Sequence, residues 1–539
     1  MKSETRALGL VCLLLALGAH PSTQARGFGV ITFPTSGSAE AQPYFLRGVA
    51  ALHSFEYEEA NEAFRQAQKI DPGFAMAYWG EAMTYNQTLW RHENVEMARQ
   101  TLARWRSAAA HAAKVESSKE KALLAAVDIL FGEGDAARRR RDYADAMARL
   151  YASYPDDPEV ASLYALALLG TMSRGLIGAM DAHEGHSQGL AGSDTQRHVG
   201  AVLQKVLASH PQHPGALHYL LHNDDDPQHA RLALAAARTF ATIAPESSHA
   251  LHMPSHIFLQ LGMWHDAASS DRAAFAMSDA WVTRKSLGSA MRNYHALSWL
   301  QYELLQLGRY REAWDTIAEL EPVVQTSGAV TLLSDLASMR ARYAIETRRW
   351  DVMADERKFA NVNDLFAIGV SAARRRNPAS AEMARQGLAD RSRSEQEGDL
   401  RPAIAIMERE VAALIELDAG RRNQAVEILR AATKAELELP APFGLPEPIK
   451  PAPELLGEVL LDIGRPREAA ASFEQALRRN ANRSLSVLGL ARAAVALGQT
   501  TAARRHYRAL LSNFDHADAD VSELKEARAV LGTTRQRDY

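Results

Sequence analysis

One cysteine, Cys12, stands in 539 residues, and it falls within the opening stretch MKSETRALGLVCLLLALGAHPSTQARG. Lys2 and Arg6 precede an apolar run from Ala7 to Leu17, and small residues follow. That order predicts a secretory signal peptide over residues 1–25, too short to span a bilayer. Cleavage near Ala19 or Ala25 would leave a chain with no disulfide and no thiol nucleophile, even in an oxidising compartment. A periplasmic or secreted location follows, with no stable membrane insertion after cleavage, because no later segment is long and apolar enough. Charge of one sign is missing as well: 61 basic against 65 acidic residues give a formal net charge of −4. No basic domain marks a nucleic-acid partner. Only 32 glycines and 21 prolines accompany 47% hydrophobic residues, which excludes a disordered chain. P-loop, dinucleotide glycine fingerprint, GxSxG and HExxH motifs are all absent.

What is present is a repeat. In YFLRGVAALHSFEYEEANEAFRQAQKIDP, residues Tyr44, Gly48, Ala60, Phe64, Ala67 and Pro72 take the signature offsets of a tetratricopeptide repeat. Small residues let two helices approach, the aromatic fills the gap between repeats, and proline stops the second helix. Leu456, Gly464, Ala469 and Phe473 recur at i+34 as Leu490, Gly498, Ala503 and Tyr507. The turn pattern G-x4-A also occurs at Gly262/Ala267, Gly308/Ala313 and Gly420/Ala425. Between these positions helix formers dominate and β-branched alternation is nearly absent. The expected fold is an all-α tetratricopeptide-repeat superhelix, an α-solenoid of antiparallel helix pairs.

The expected organisation is a signal peptide at 1–25, an extended leader at 26–40 and repeat-like helices at 41–171. An interrupting loop and helix follow at 172–210, then histidine-rich repeats at 211–320 and further helices at 321–438. A proline-rich connection at 439–453, crossing a surface, precedes the C-terminal repeats at 454–539. The basic run DAARRRRD at 135–142 is expected on a solvated helix face, and Asp226-Pro227 at a helix start.

The histidines are not spread evenly. Thirteen of 19 lie between 183 and 295, where uniform spread would place about four. HYLLH supplies His218 and His222; HALHMPSH supplies His249, His252 and His256. His218 and His252 are 34 apart, as are His222 and His256, Pro211 and Pro245, and Ala233 and Ala267. The two segments therefore belong to equivalent first helices of consecutive repeats, side by side on the concave face. Aligning Gly308 with Gly262 sets His295 level with His249. Pro254 either bends its helix or starts it late, so His249 need not share the face of His256.

Three uses compete for such a set. The imidazoles of His218, His222, His252 and His256, with Asp224, could ligate a transition metal such as zinc, copper or iron. Asp225, Asp226, Glu184, His183 and His186 could complete or orient that shell. Alternatively His53, Trp79, Trp90, Tyr219, His249 and His295 could line a groove for a protein or peptide partner, or a polar ligand. In the plainest case the histidines are buried and tie the repeats together through hydrogen bonds.

The chain resembles a family of secreted bacterial tetratricopeptide-repeat proteins without a settled activity. The likeness is carried by FPTSGSAEAQPYFLRGVAALHSFEYEEA, DPGFAMAYWGEAM, ALHYLLHNDDDP, HALHMPSHIFLQLGMW, NYHALSWLQYELLQLGRY and KPAPELLGEVLL, with HMPSHI the most specific. Relatives often carry cysteine at the place of Gly37 and histidine near Asn86. The resemblance implies a repeat scaffold and no catalytic assignment; His53, Trp79, His218, His222, His252, His256 and His295 match its pattern. The expected function is an exported scaffold holding a peptide or protein in a concave groove over residues 211–310. A metal-dependent protein, hydrolytic or redox, is the alternative.

Overall fold

The computed structural model describes residues 27–109, 115, 117–172, 193–353 and 361–532. The signal-peptide stretch and the DAHEGH segment with His183, Glu184 and His186 lie outside them. Among the described residues, 24 α-helices follow one another with two 3-10 turns. The β-structure is a single two-residue antiparallel pair, Asn86–Gln87 with His92–Glu93. The fold is an all-α tetratricopeptide-repeat solenoid.

The turn glycines explain how each pair reverses. Gly262, Gly308, Gly420, Gly464 and Gly498 all take left-handed φ, between +65° and +80°. The amide that follows each one bonds to a carbonyl five residues back, as Met263 to Phe258 and Gln499 to Ala494. That is the Schellman stop, which satisfies the last helical carbonyls and needs a residue without a Cβ penalty. The aromatic of each repeat clamps two helices. Phe64 lies against Gly48 and Gly80, where an added Cβ would come within 2.7 and 2.3 Å of its ring; Phe473 lies against Gly457 and Gly489 in the same way. In both repeats, at opposite ends of the chain, the aromatic stands midway in sequence between its two glycines.

Both ends fold back on the middle. From the first hairpin, Gln42–His53 with Tyr57–Ile70, the His53 carbonyl accepts from His218, and Glu59 meets Trp281 and Lys285. At the other end, Arg483 bonds Tyr302 and Glu346, and Trp264 donates to the Asn482 carbonyl. The leader is non-helical, with Phe28 and Phe33 buried and Ser36 bonded to Glu120. The inner wall around residues 214–306 is consequently enclosed on both sides.

Three local expectations need correction. Within the basic run, Arg139 is buried, because its guanidinium reaches Glu93 and the carbonyls of Leu130 and Gly134. Asp226 caps a turn at Gln228 and His229, and the helix itself begins at Ala230. The Pro-rich connection lies on the inner wall: Pro442 accepts from Gln260, Phe443 packs against His256, and Gly444 abuts Trp299.

Candidate metal centre

Three first helices build the centre: Pro214–Asn223, Ser248–Gln260 and Tyr294–Gln306. Each starts on a side-chain cap. His213, Ser247 and Asn293 accept from Ala216, Ala250 and Ala296, so the three helices enter the wall in the same way. The equivalence of His213 and Ser247, one repeat apart, sets the phase of the imidazoles that follow. Pro254 sits inside the second helix without ending it.

The imidazoles form two clusters of three. His218, His222 and His249 make the first; His252, His256 and His295 make the second, with ligand atoms within 4.8 Å of one another in each. In the first, the Nε2 of His218 lies 3.0 Å from the Nε2 of both His222 and His249. In the second, the Nε2 of His252 lies 3.0 Å from that of His256 and 3.1 Å from that of His295. His249 and His295, level by the glycine alignment, hold the same place in successive clusters. The clusters adjoin, with the rings of His249 and His252 6.4 Å apart.

The opposite nitrogens are already spoken for. His218 donates from Nδ1 to the His53 carbonyl at 2.6 Å. His256 donates from Nδ1 to Asp225 at 2.5 Å, and His252 from Nδ1 to Asp271. A carbonyl or carboxylate only accepts, so these Nδ1 atoms carry the proton and a neutral ring leaves its lone pair on Nε2. Burial lowers the His218 pKa to about 3, holding that ring neutral. Glu303 lies beside Asp271; burial and that neighbouring carboxylate raise the Glu303 carboxyl well above its usual range, so it is the protonated partner. In each cluster the Nε2 atoms converge at hydrogen-bond distance, the spacing of a set that could hold one metal ion. Carboxylate or carbonyl on the far nitrogen is also the usual support of a metal-bound imidazole.

Aromatic rings wall the centre. Phe55 lies 4.3, 5.7 and 5.5 Å from His218, His222 and His249, and Trp90 is 5.6 Å from His249. Trp299 lies 5.0, 4.2 and 5.3 Å from His252, His256 and His295.

Other sequence candidates fall elsewhere. Trp79 is buried in the N-terminal core edge-on to Phe33 and lines no groove. His53 and Tyr219 are also buried: the Tyr219 hydroxyl donates to His53 Nδ1, and His53 Nε2 donates to Glu159. Asp224 bonds Asn223, and burial raises its carboxyl to about 6; its neighbour Asp225 meets His256 in its place. Asp271, Glu303, Phe55 and Phe443 were not singled out from sequence. Asp271 left one signal, its place on the second helix of the hairpin that carries His252.

Two segments match family models described as tetratricopeptide repeat, residues 41–74 and 460–533. Over those residues the chain carries tetratricopeptide repeats. No curated protein matches it. Among solved structures it is similar to yeast Tom70, with 11% identity over 92% of this chain and 90% of that one, TM-score 0.29. The Cut9–Hcn1 hetero-tetramer of the APC/C shows 11% identity over 92% and 78%, TM-score 0.31. A tetratricopeptide repeat protein from Parabacteroides merdae shows 15% identity over 53% and 98%, TM-score 0.30. None of these likenesses bears on the imidazoles.

Proposed function

We propose that this tetratricopeptide-repeat protein binds transition-metal ions on its inner wall, one in each three-histidine cluster. The observation that carries the reading is the convergence of three imidazole nitrogens in each cluster, within 4.8 Å of one another, with Asp271 and Asp225 behind His252 and His256. An all-imidazole donor set suits zinc, copper or iron and disfavours hard, oxygen-seeking ions. Three protein ligands leave a position for water or substrate, the mark of a catalytic rather than a structural zinc site. Zinc would supply Lewis-acid or hydrolytic chemistry there; copper or iron would supply redox chemistry. The signal-peptide pattern expected at residues 1–25 extends the reading to an exported protein loaded outside the cytoplasm.

Elemental analysis of protein offered zinc, copper or iron tests this. The expected result is one metal per cluster, with His222→Ala losing the first and His256→Ala the second. Metal-free protein after loading would contradict it. Repeat solenoids also hold peptide or protein partners. Such a partner would dock away from the enclosed wall, and a pull-down with metal-free protein would retain it.

A further inference from the structure

Beside the first cluster lies a cavity of about 260 Å³ that includes His249 in its lining. The rings of Phe55, Tyr57, Trp90 and Trp281 line it, Asn293 adds a polar group, and Met291 is its exposed lining residue. Phe55 stacks on Tyr57 at 5.7 Å with 9° between planes, and Trp90 meets Phe55 edge-on at 5.0 Å. Phe55 is held in the left-handed region at φ +58°, an unfavourable place for a bulky side chain. The conformation places one ring against all three imidazoles of the first cluster and against the cavity at once. At the second cluster, the rings of Trp299 and Phe443 pack against His256.

Resting on the metal reading, we propose that this cavity admits a small single-ring aromatic molecule, whose oxygen or nitrogen donor reaches the metal held by His218, His222 and His249. Ring walls reward a flat partner through offset and edge-on contacts. The volume, just under the usual range for ligand pockets, suits one ring and excludes a peptide segment. Glu56 and Glu246 also line the cavity and on their own would favour an organic cation. Glu56 already accepts hydrogen bonds from Ser247 and from the amides of Ser248 and His249, and a metal ion at the cluster would repel a cation.

The test is titration of zinc-loaded protein with 4-nitrophenol, followed by tryptophan fluorescence, with metal content measured on the same sample. Saturable binding is expected, with phenol competing and cyclohexanol binding about tenfold more weakly. Met291→Trp enlarges that exposed lining residue without entering the core, and should weaken binding about tenfold or more at unchanged metal content. Fully metallated protein that ignores 4-nitrophenol, binds it equally well as Met291→Trp, or releases it to tetramethylammonium overturns the aromatic site alone. Protein that takes up no metal overturns this proposal and the metal reading together.

Discussion

The inner wall holds two kinds of histidine cluster, and they differ in what their ring nitrogens meet. In the group formed by His53, Glu159 and His213, the contacts close. His53 Nδ1 accepts from Tyr219 and its Nε2 donates to Glu159, while His213 Nδ1 accepts from the Ala216 amide and its Nε2 donates to Glu159. Burial lowers the His53 pKa, and burial alone would raise Glu159, but the charge and hydrogen bonds of His213 and His53 outweigh it and hold Glu159 well below its usual range. The two imidazoles thus bracket an ionised carboxylate, with each ring nitrogen already in a hydrogen bond. In the three-histidine clusters, by contrast, Nδ1 of His218, His252 and His256 is fixed and Nε2 converges on Nε2. The same residue type serves as a hydrogen-bond bracket in one place and as a ligand set in the other. Histidine count alone separates neither; the partner on the second nitrogen does.

Removing metal is the strongest way to break the comparison. Each site saturated at a thousand times its Kd stabilises the fold by about 4 kcal/mol, so chelation should lower the melting temperature sharply. His53→Gln and His213→Gln variants should lower it too, but their metal content should match that of the unaltered protein. If instead they lose metal, the two clusters are of one kind. Next in size is the bracket itself. Glu159→Gln leaves buried donors without their carboxylate and should cost about 3 kcal/mol in chemical unfolding, again with both metals retained. Then come the supports: Asp271→Asn and Asp225→Asn should weaken metal affinity at the second cluster about 10- to 100-fold, leaving the first cluster unchanged in competition titrations.

The smallest effect is a pH slope. Glu159 has a lower pKa folded than unfolded, so its contribution is complete above its ordinary value of 4.5 and drains away as pH falls. Measured on chelated protein, the deficit of Glu159→Gln should be widest at neutral pH and narrow below about pH 4.5. A deficit constant down to about pH 3 would show that Glu159 is not the ionised member.

The repeat itself was legible because its devices are local. A glycine in a Schellman stop and an aromatic clamped between two glycines each leave a fixed offset, and translation by one repeat brought HYLLH and HMPSH into phase. Aligning Gly262 with Gly308 sets His295 level with His249. The offsets alone, however, read both as groove residues and His218, His222, His252 and His256 as one metal set, where the structure forms two clusters with His249 and His295 as third members. The supports did not follow. Asp271 comes from the partner helix of the hairpin, the His53 carbonyl from a hairpin far back in the sequence, and Phe443 from the connection before the last repeats. Those contacts depend on how tightly the solenoid winds, which pairwise offsets do not encode. The groove residues were misplaced for the same reason: Trp79, His53 and Tyr219 lie inside because both ends of the chain close over the middle. Nor does the sequence separate Asp225 from Asp224, since three successive aspartates differ only in the direction the turn gives them.

Anomalous diffraction at the absorption edge of the loaded metal tests the central claim most directly. Two peaks are expected, each about 2.0–2.1 Å from three imidazole Nε2 atoms, with none beside Glu159. Loaded crystals whose only peaks lie at surface carboxylates, or in the bracket of His53 and His213, would contradict the account.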